Sequence, residues 1–171
     1  MKNSNILKYQ YKKGEIVEKE KSCCFTGHRI IKKTEIDIIK SKLRDIVIKL
    51  INNDINIFIC GGALGFDTIA AQEVLEQKNT YNKIQLILTL PCREQNKNWK
   101  EKEIIIYKNI LQKADKIIYV SDEYSKDCML KRNRYMVDNS NFCVCYLRNK
   151  RSGTAYTVNY AKNNNLTLIE I

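Results

Sequence analysis

Apolar residues in this chain fall into two alternating patterns: short continuous runs, and longer stretches in which they recur three or four positions apart. The first run, Cys23, Cys24 and Phe25, ends in Thr26-Gly27-His28-Arg29. Thr34 is then placed to cap a helix, with Asp37 three residues on, in which Ile36, Ile39, Leu43, Ile46, Val47, Leu50 and Ile51 line one face. Runs at 55–60, 84–90, 116–120, 142–147 and 166–171 read as five more strands. Helices are predicted over 68–77, 95–111, 129–139 and 153–163, with Trp99, Ile106 and Ile110 near one face of the 95–111 segment. Apolar strands alternating with helices predict an α/β domain: a doubly wound, mainly parallel sheet with helices on both faces. Residues 1–21 lack either pattern and read as a polar leader or short edge element, which leaves 22–171 as one domain.

In such folds ligands bind beyond the carboxyl ends of the strands. The stretch 60–70, CGGALGFDTIA, stands at one of those ends. Its Gly61, Gly62 and Gly65 allow a tight turn, and the first free N–H groups of the following helix suit an anion. The spacing is neither G-x-G-x-x-G nor a P-loop, and a ligand-free turn is the competing reading of the glycines alone. Other strand ends add His28, Arg29, Lys32 and Lys33, then Arg93, then Asp122 and Tyr124, then Arg148, Lys150 and Arg151. The topology therefore predicts basic groups from three strands converging around an anion-binding turn.

Thirty Lys and Arg against 19 Asp and Glu give a formal net charge of +11, which favours an acidic partner. Seven cysteines, mostly within apolar runs, read as reduced packing residues rather than a disulfide framework. With no CxxC pair and a single histidine, no metal site is expected. No apolar stretch approaches the roughly 18 residues of a membrane span. Nor is there a signal-peptide core, so a cytoplasmic protein is expected.

Four motifs then stand in order: Thr26-Gly27-His28-Arg29; Gly61-Gly62-Ala63-Leu64-Gly65-Phe66-Asp67; Met129-x-x-Arg132-Asn133-x-x-Met136-Val137-Asp138-x-Ser140; and Gly153-Thr154. From about Ser22 onward the chain resembles the YpsA branch of the SLOG superfamily. The resemblance implies a Rossmann-like domain that binds a nucleotide or a nucleotide-derived ligand, NAD-related or ADP-ribose-like, in a branch associated with bacterial cell division and stress. It places Thr26, Gly27, His28 and Arg29 on one side of a pocket, phosphate on the Gly61, Gly62, Ala63, Gly65 and Asp67 turn, and Arg132 and Asn133 reaching in from their helix. Ser152, Gly153 and Thr154 close the pocket with a second helix N-terminus. Ser152 departs from the glycine usual there and adds a hydroxyl. A protein partner and a homodimer are further implications by analogy.

The LOG-type phosphoribohydrolases supply a test of catalysis. Their arginine is matched by Arg132, but Thr157 stands where their glutamate would be, and a hydroxyl cannot replace that carboxylate. The leading expectation is a non-enzymatic or weakly enzymatic protein that binds or senses a nucleotide-derived ligand. The glycine segment also resembles that of DprA-type proteins, making single-stranded DNA binding the alternative. A nucleotide N-glycosidic hydrolase using Asp67 or Asp122 ranks third. His28 is expected as a hydrogen-bond donor or a phosphate contact, Asp138 as a group that caps or orients.

Overall fold

In the computed structural model of the chain, residues 18–171 are described. Residues 1–17 of the expected leader or edge element lie outside them, and Lys19–Lys21 form a single 3-10 turn. The strands are β1 (Ser22–Gly27), β2 (Ile57–Cys60), β3 (Gln85–Leu90), β4 (Lys116–Tyr119), β5 (Phe142–Tyr146) and β6 (Thr167–Glu170). The helices are α1 (Ile36–Asn52), α2 (Phe66–Gln77), α3 (Glu101–Lys113), α4 (Cys128–Asp138) and α5 (Gly153–Asn163). Among the described residues the strands form one sheet in the order β4-β3-β2-β1-β5-β6, and all five pairings are parallel. The order runs outward from β1 in both directions, so β1 and β5 flank the switch point.

The pleat divides the core. Cys23, Phe25, Phe58, Leu86, Leu88, Val144 and Tyr146 point to one face and pack with Leu43 of α1, Val74 of α2 and Ile110 of α3. The residues between them, Cys24, Ile59, Ile87, Cys143 and Cys145, point to the other and meet Met136 and Val137 of α4 and Ala161 of α5. This is why the strands read as unbroken apolar runs: both faces are covered. All seven cysteines are buried and unpaired by disulfides.

Two helix ends are built without glycine. At the end of α1, Asp54 takes φ 61° while the Ile55 N–H donates to Leu50 O and the Asp54 N–H to Ile51 O. At the end of α5, Asn165 takes φ 59°, with Leu166 N–H to Ala161 O and Asn165 N–H to Lys162 O. Both are Schellman turns, each aiming the chain back into a strand. Replacing Asp54 by glycine removes the Cβ penalty of a left-handed residue, so Asp54→Gly is expected to raise the unfolding free energy by about 0.5–1 kcal/mol in urea denaturation.

Three sequence expectations shift. Thr34 lies within the 3-10 turn Lys33–Glu35 that precedes α1, and the residue before the helix, Glu35, makes no side-chain cap. Helix α3 begins at Glu101, not residue 95, because Lys97 and Trp99 donate backwards to Glu94 and Asn96 in turns. On α3 the inward residues are Tyr107 and Ile110, whereas Ile106 is exposed.

Candidate functional site

A cavity of about 280 Å³ opens beside the switch point. Its wall comes from the end of β1 (Phe25 to Arg29), from Ala63 and Asp67 of the glycine turn, from Met129, Arg132, Asn133 and Met136 of α4, and from Ser152, Gly153 and Thr154 at the start of α5. Eleven residues expected at the site thus line one space. Met129 and Met136 were legible as members of the third motif without a place in the pocket, and Phe25 only as strand core.

The glycine turn is closed upon itself. The Gly61 N–H donates to Asp67 Oδ1 at 3.2 Å and the Ala63 N–H to Asp67 Oδ2 at 2.8 Å. Asp67 sits in the first turn of α2, where the helix dipole favours a carboxylate, and reaches back across the loop. The N–H groups expected to cradle a phosphate are therefore occupied by the chain's own anion. The glycines are explained by the same economy of space. A Cβ on Gly61 would fall 2.0 Å from Arg132 Nη1, and one on Gly62, at φ 65°, would fall 2.5 Å from Leu90 Cδ2. On Gly65, at φ 79°, it would meet the Arg29 carbonyl oxygen at 2.2 Å, and on Gly27 the Phe66 ring at 2.4 Å. Phe66 also donates its N–H to His28 O at 3.0 Å, locking the β1 loop to the glycine turn.

Gly153 differs. Nothing lies within 4 Å of where its Cβ would stand. It is the first residue of α5, and Ser152 before it caps the helix: its hydroxyl accepts from the Ala155 N–H at 3.1 Å and donates to Asn149 O at 2.8 Å. That cap leaves the Gly153 and Thr154 N–H groups at the cavity wall.

Opposite them, Arg132 is only 6% exposed. Its Nη1 donates to Gly61 O, and its Nε donates to Asn133 Oδ1 at 2.7 Å. Asn133 Nδ2 donates to Thr157 Oγ1 at 2.8 Å, and that hydroxyl donates to Gly153 O at 2.9 Å. A continuous polar chain therefore runs from the glycine turn through α4 to the start of α5, with Arg132 and Asn133 in the cavity wall. Burial lowers the pKa of Arg132, opposed by Asp67, while burial raises that of Asp67, opposed by Arg132 and by the backbone N–H groups around it.

Of the other arginines and lysines expected at the strand ends, Arg29 alone lines the cavity. Arg93 does not line the cavity; its guanidinium stacks 4.6 Å over the Tyr119 ring. Arg148 stacks 4.4 Å over Tyr146, lies 3.8 Å from Glu35 and donates to Ile171 O. Arg29 is exposed at the cavity mouth. His28 accepts through Nε2, which receives the Arg148 N–H at 2.8 Å and the Asn149 N–H at 3.1 Å. Asp138 accepts from Tyr160 Oη at 3.0 Å, away from the cavity. Among the described residues no group of three or more His, Cys, Asp or Glu side chains is placed to hold a metal ion, and no helix is long and apolar enough to cross a membrane.

A parallel sheet wound outward from β1, with a cavity at the switch point between a buried arginine and a helix N-terminus, defines a Rossmann-like α/β protein. The chain belongs to the YspA SLOG family (YpsA), whose family model matches residues 24–168. It is 36% identical over 137 residues to an uncharacterised SPbeta prophage-derived protein, YoqJ, of Bacillus subtilis, covering 72% of this chain and 80% of that one. A UPF0398 protein of Halalkalibacterium halodurans is 30% identical over 130 residues, 74% and 69% of the two chains. Among solved structures, DNA processing protein A of Helicobacter pylori, described for its single-stranded DNA binding mode, superposes with a TM-score of 0.60 at 19% identity, over 87% of this chain and 64% of that one. DprA of Streptococcus pneumoniae gives 0.60 at 15%, over 90% and 50%. At these identities the likeness is one of fold, and the chain spans less than two thirds of either structure.

Proposed function

We propose that the cavity binds the phosphate-bearing part of a nucleotide or nucleotide-derived ligand, and that the protein acts by binding rather than by turnover. The observation that carries this is that Gly153 and Thr154, the first residues of α5, line the cavity together with the buried Arg132, and that the space beside the Gly153 Cα is open. An oxyanion there receives two backbone donors, a helix N-terminus and a guanidinium. The volume, near the low end of the roughly 300–1,000 Å³ usual for small-molecule sites, suits a phosphoribosyl-sized group. Membership of the YspA SLOG family supports nucleotide-derived ligands, NAD-related or ADP-ribose-like among them, and a role relayed to a protein partner in cell division or stress.

Against hydrolysis, the Thr157 hydroxyl is held between Asn133 and Gly153 O, and both Asp67 oxygens already accept backbone N–H groups. Asp122 is exposed and does not line the cavity. A general base must stand within hydrogen-bond reach of the water it activates, and the backbone N–H groups commit the Asp67 carboxylate to holding the turn.

Calorimetric titration with ribose 5-phosphate, AMP and ADP-ribose tests the reading. Gly153→Ala fills only open space, so its stability should be unchanged or raised by less than about 1 kcal/mol, while affinity falls at least about 10-fold because the new methyl stands where the phosphate approaches the backbone. Full binding by a folded Gly153→Ala protein would sink the proposal. Tight binding of an oligonucleotide that weakens steeply with salt would instead favour a DprA-type role.

A further inference from the structure

Beside the first cavity lies a second of about 640 Å³, and Arg29 and Met129 line both. Its chemistry is different. The first is bounded by a buried guanidinium and backbone N–H groups; the second presents Trp99 and Tyr124, the latter 68% exposed. Its charges largely offset one another: Arg29, Lys97 and Lys100 stand with Glu94 and Glu103, Lys97 lies 3.9 Å from Glu94, and the Lys100 backbone N–H donates to Glu103 Oε2 at 2.8 Å. A site with nearly offset charges, a half-buried indole and an exposed phenol ring suits a flat heterocycle that stacks.

The two cavities are also built as one. Gln95 Nε2 donates to Gly62 O at 3.1 Å and to Tyr107 Oη at 2.9 Å, and the Tyr107 ring meets Trp99 edge-on with centroids 5.1 Å apart. Burial pushes the Tyr107 hydroxyl up to about 12, so it stays protonated throughout the neutral range. The wall carrying Trp99 is thereby tied to the glycine turn that frames the first cavity.

We infer that the second cavity is the base subsite of the same ligand: a nucleotide-derived small molecule places its phosphoribosyl end between Arg132 and Gly153 and its aromatic heterocycle against Trp99 and Tyr124. This rests on the reading of the first cavity as a phosphate site. It also accounts for the segment 94–100 being turns rather than helix, since those residues line the subsite.

Trp99 is the chain's single tryptophan, so its emission reports on this cavity alone. With the full chain, AMP and ADP-ribose are expected to quench it on binding, whereas ribose 5-phosphate binds with little change. Tyr124→Ala should weaken AMP about 10-fold and leave ribose 5-phosphate within 2-fold, as loss of one stacking partner dictates. If AMP binds no tighter than ribose 5-phosphate and emission does not move, the base subsite is refuted while the phosphate site stands. If none of the three binds, both fall. If a single-stranded oligothymidylate quenches Trp99 at concentrations where AMP and ADP-ribose do not, the cavity belongs to nucleic acid and the small-molecule assignment is overturned.

Discussion

Asp67→Ala is expected to lower the unfolding free energy by about 2–5 kcal/mol, read from urea denaturation, at roughly 1–3 kcal/mol for each inward N–H left without its acceptor. The substitution strips the acceptor from the Gly61 and Ala63 N–H groups and leaves Arg132 buried without its counter-charge. Asp67→Asn is the informative companion. It keeps an oxygen for one N–H but brings an NH₂ to face the other, so it too destabilises, by less. The pair also has a pH signature. Burial raises the pKa of Asp67 in the folded protein above its ordinary 3.8. Between those two values the folded state binds more protons than the unfolded one, and linkage then makes stability rise as pH falls. Wild type should accordingly gain on Asp67→Asn, which has nothing to titrate, as pH is lowered from 7 toward 4. A stability difference independent of pH would show that Asp67 does not titrate differently on folding.

Gly65→Ala is expected to be nearly as damaging, at least about 3 kcal/mol, from two additive sources. At φ 79° and ψ −124° the residue occupies a region that side chains other than glycine rarely enter. Its new Cβ would also meet the Arg29 and His28 carbonyl oxygens at 2.2 and 2.5 Å, backbone atoms that cannot rotate away. Relief requires parting the β1 loop from the glycine turn, which opens the cavity wall at Arg29 and Ala63 together. Lost stability and lost ligand affinity should therefore appear in the same variant, whereas Gly153→Ala separates them. A melting temperature for Gly65→Ala within a degree or two of wild type would contradict this account.

The strands and their alternation with helices were legible because a doubly covered parallel sheet writes itself as unbroken apolar runs, and α5 begins and ends as read because Ser152 before Gly153 is a sequence-level cap. The start of α3 was not, because Lys100 is an unusual capping residue and the turns before it depend on Gln95 reaching Gly62 O across the fold. The site divides in the same way. Position relative to strand ends brought His28, Arg29, the glycine turn, Arg93 and Arg148 into one list, and the resemblance to the YpsA branch added Thr26, Gly27, Arg132, Asn133 and Ser152 to Thr154. It could not reveal which anion the glycine turn holds, since a phosphate and the Asp67 carboxylate ask for the same N–H groups. Nor could it tell Arg132 from Arg93 and Arg148, whose guanidinium groups are drawn off by Tyr119 and Tyr146. Those partners are distant in sequence and become neighbours only in the sheet.

The winding of the sheet sets an order of events during synthesis. Strand β1 lies between β2 and β5, so its second neighbour emerges about 115 residues after it. Until then the Cys23 to Gly27 edge that carries the start of the cavity is an unpaired, apolar strand, open to other chains. Docking of β5 covers that edge, and the Arg148 and Asn149 N–H groups that follow it find His28 Nε2. The segment that ends this exposure also leads directly into Ser152, Gly153 and Thr154. Binding competence and protection from aggregation therefore arrive in one late step, and a nascent chain halted before residue 142 possesses neither.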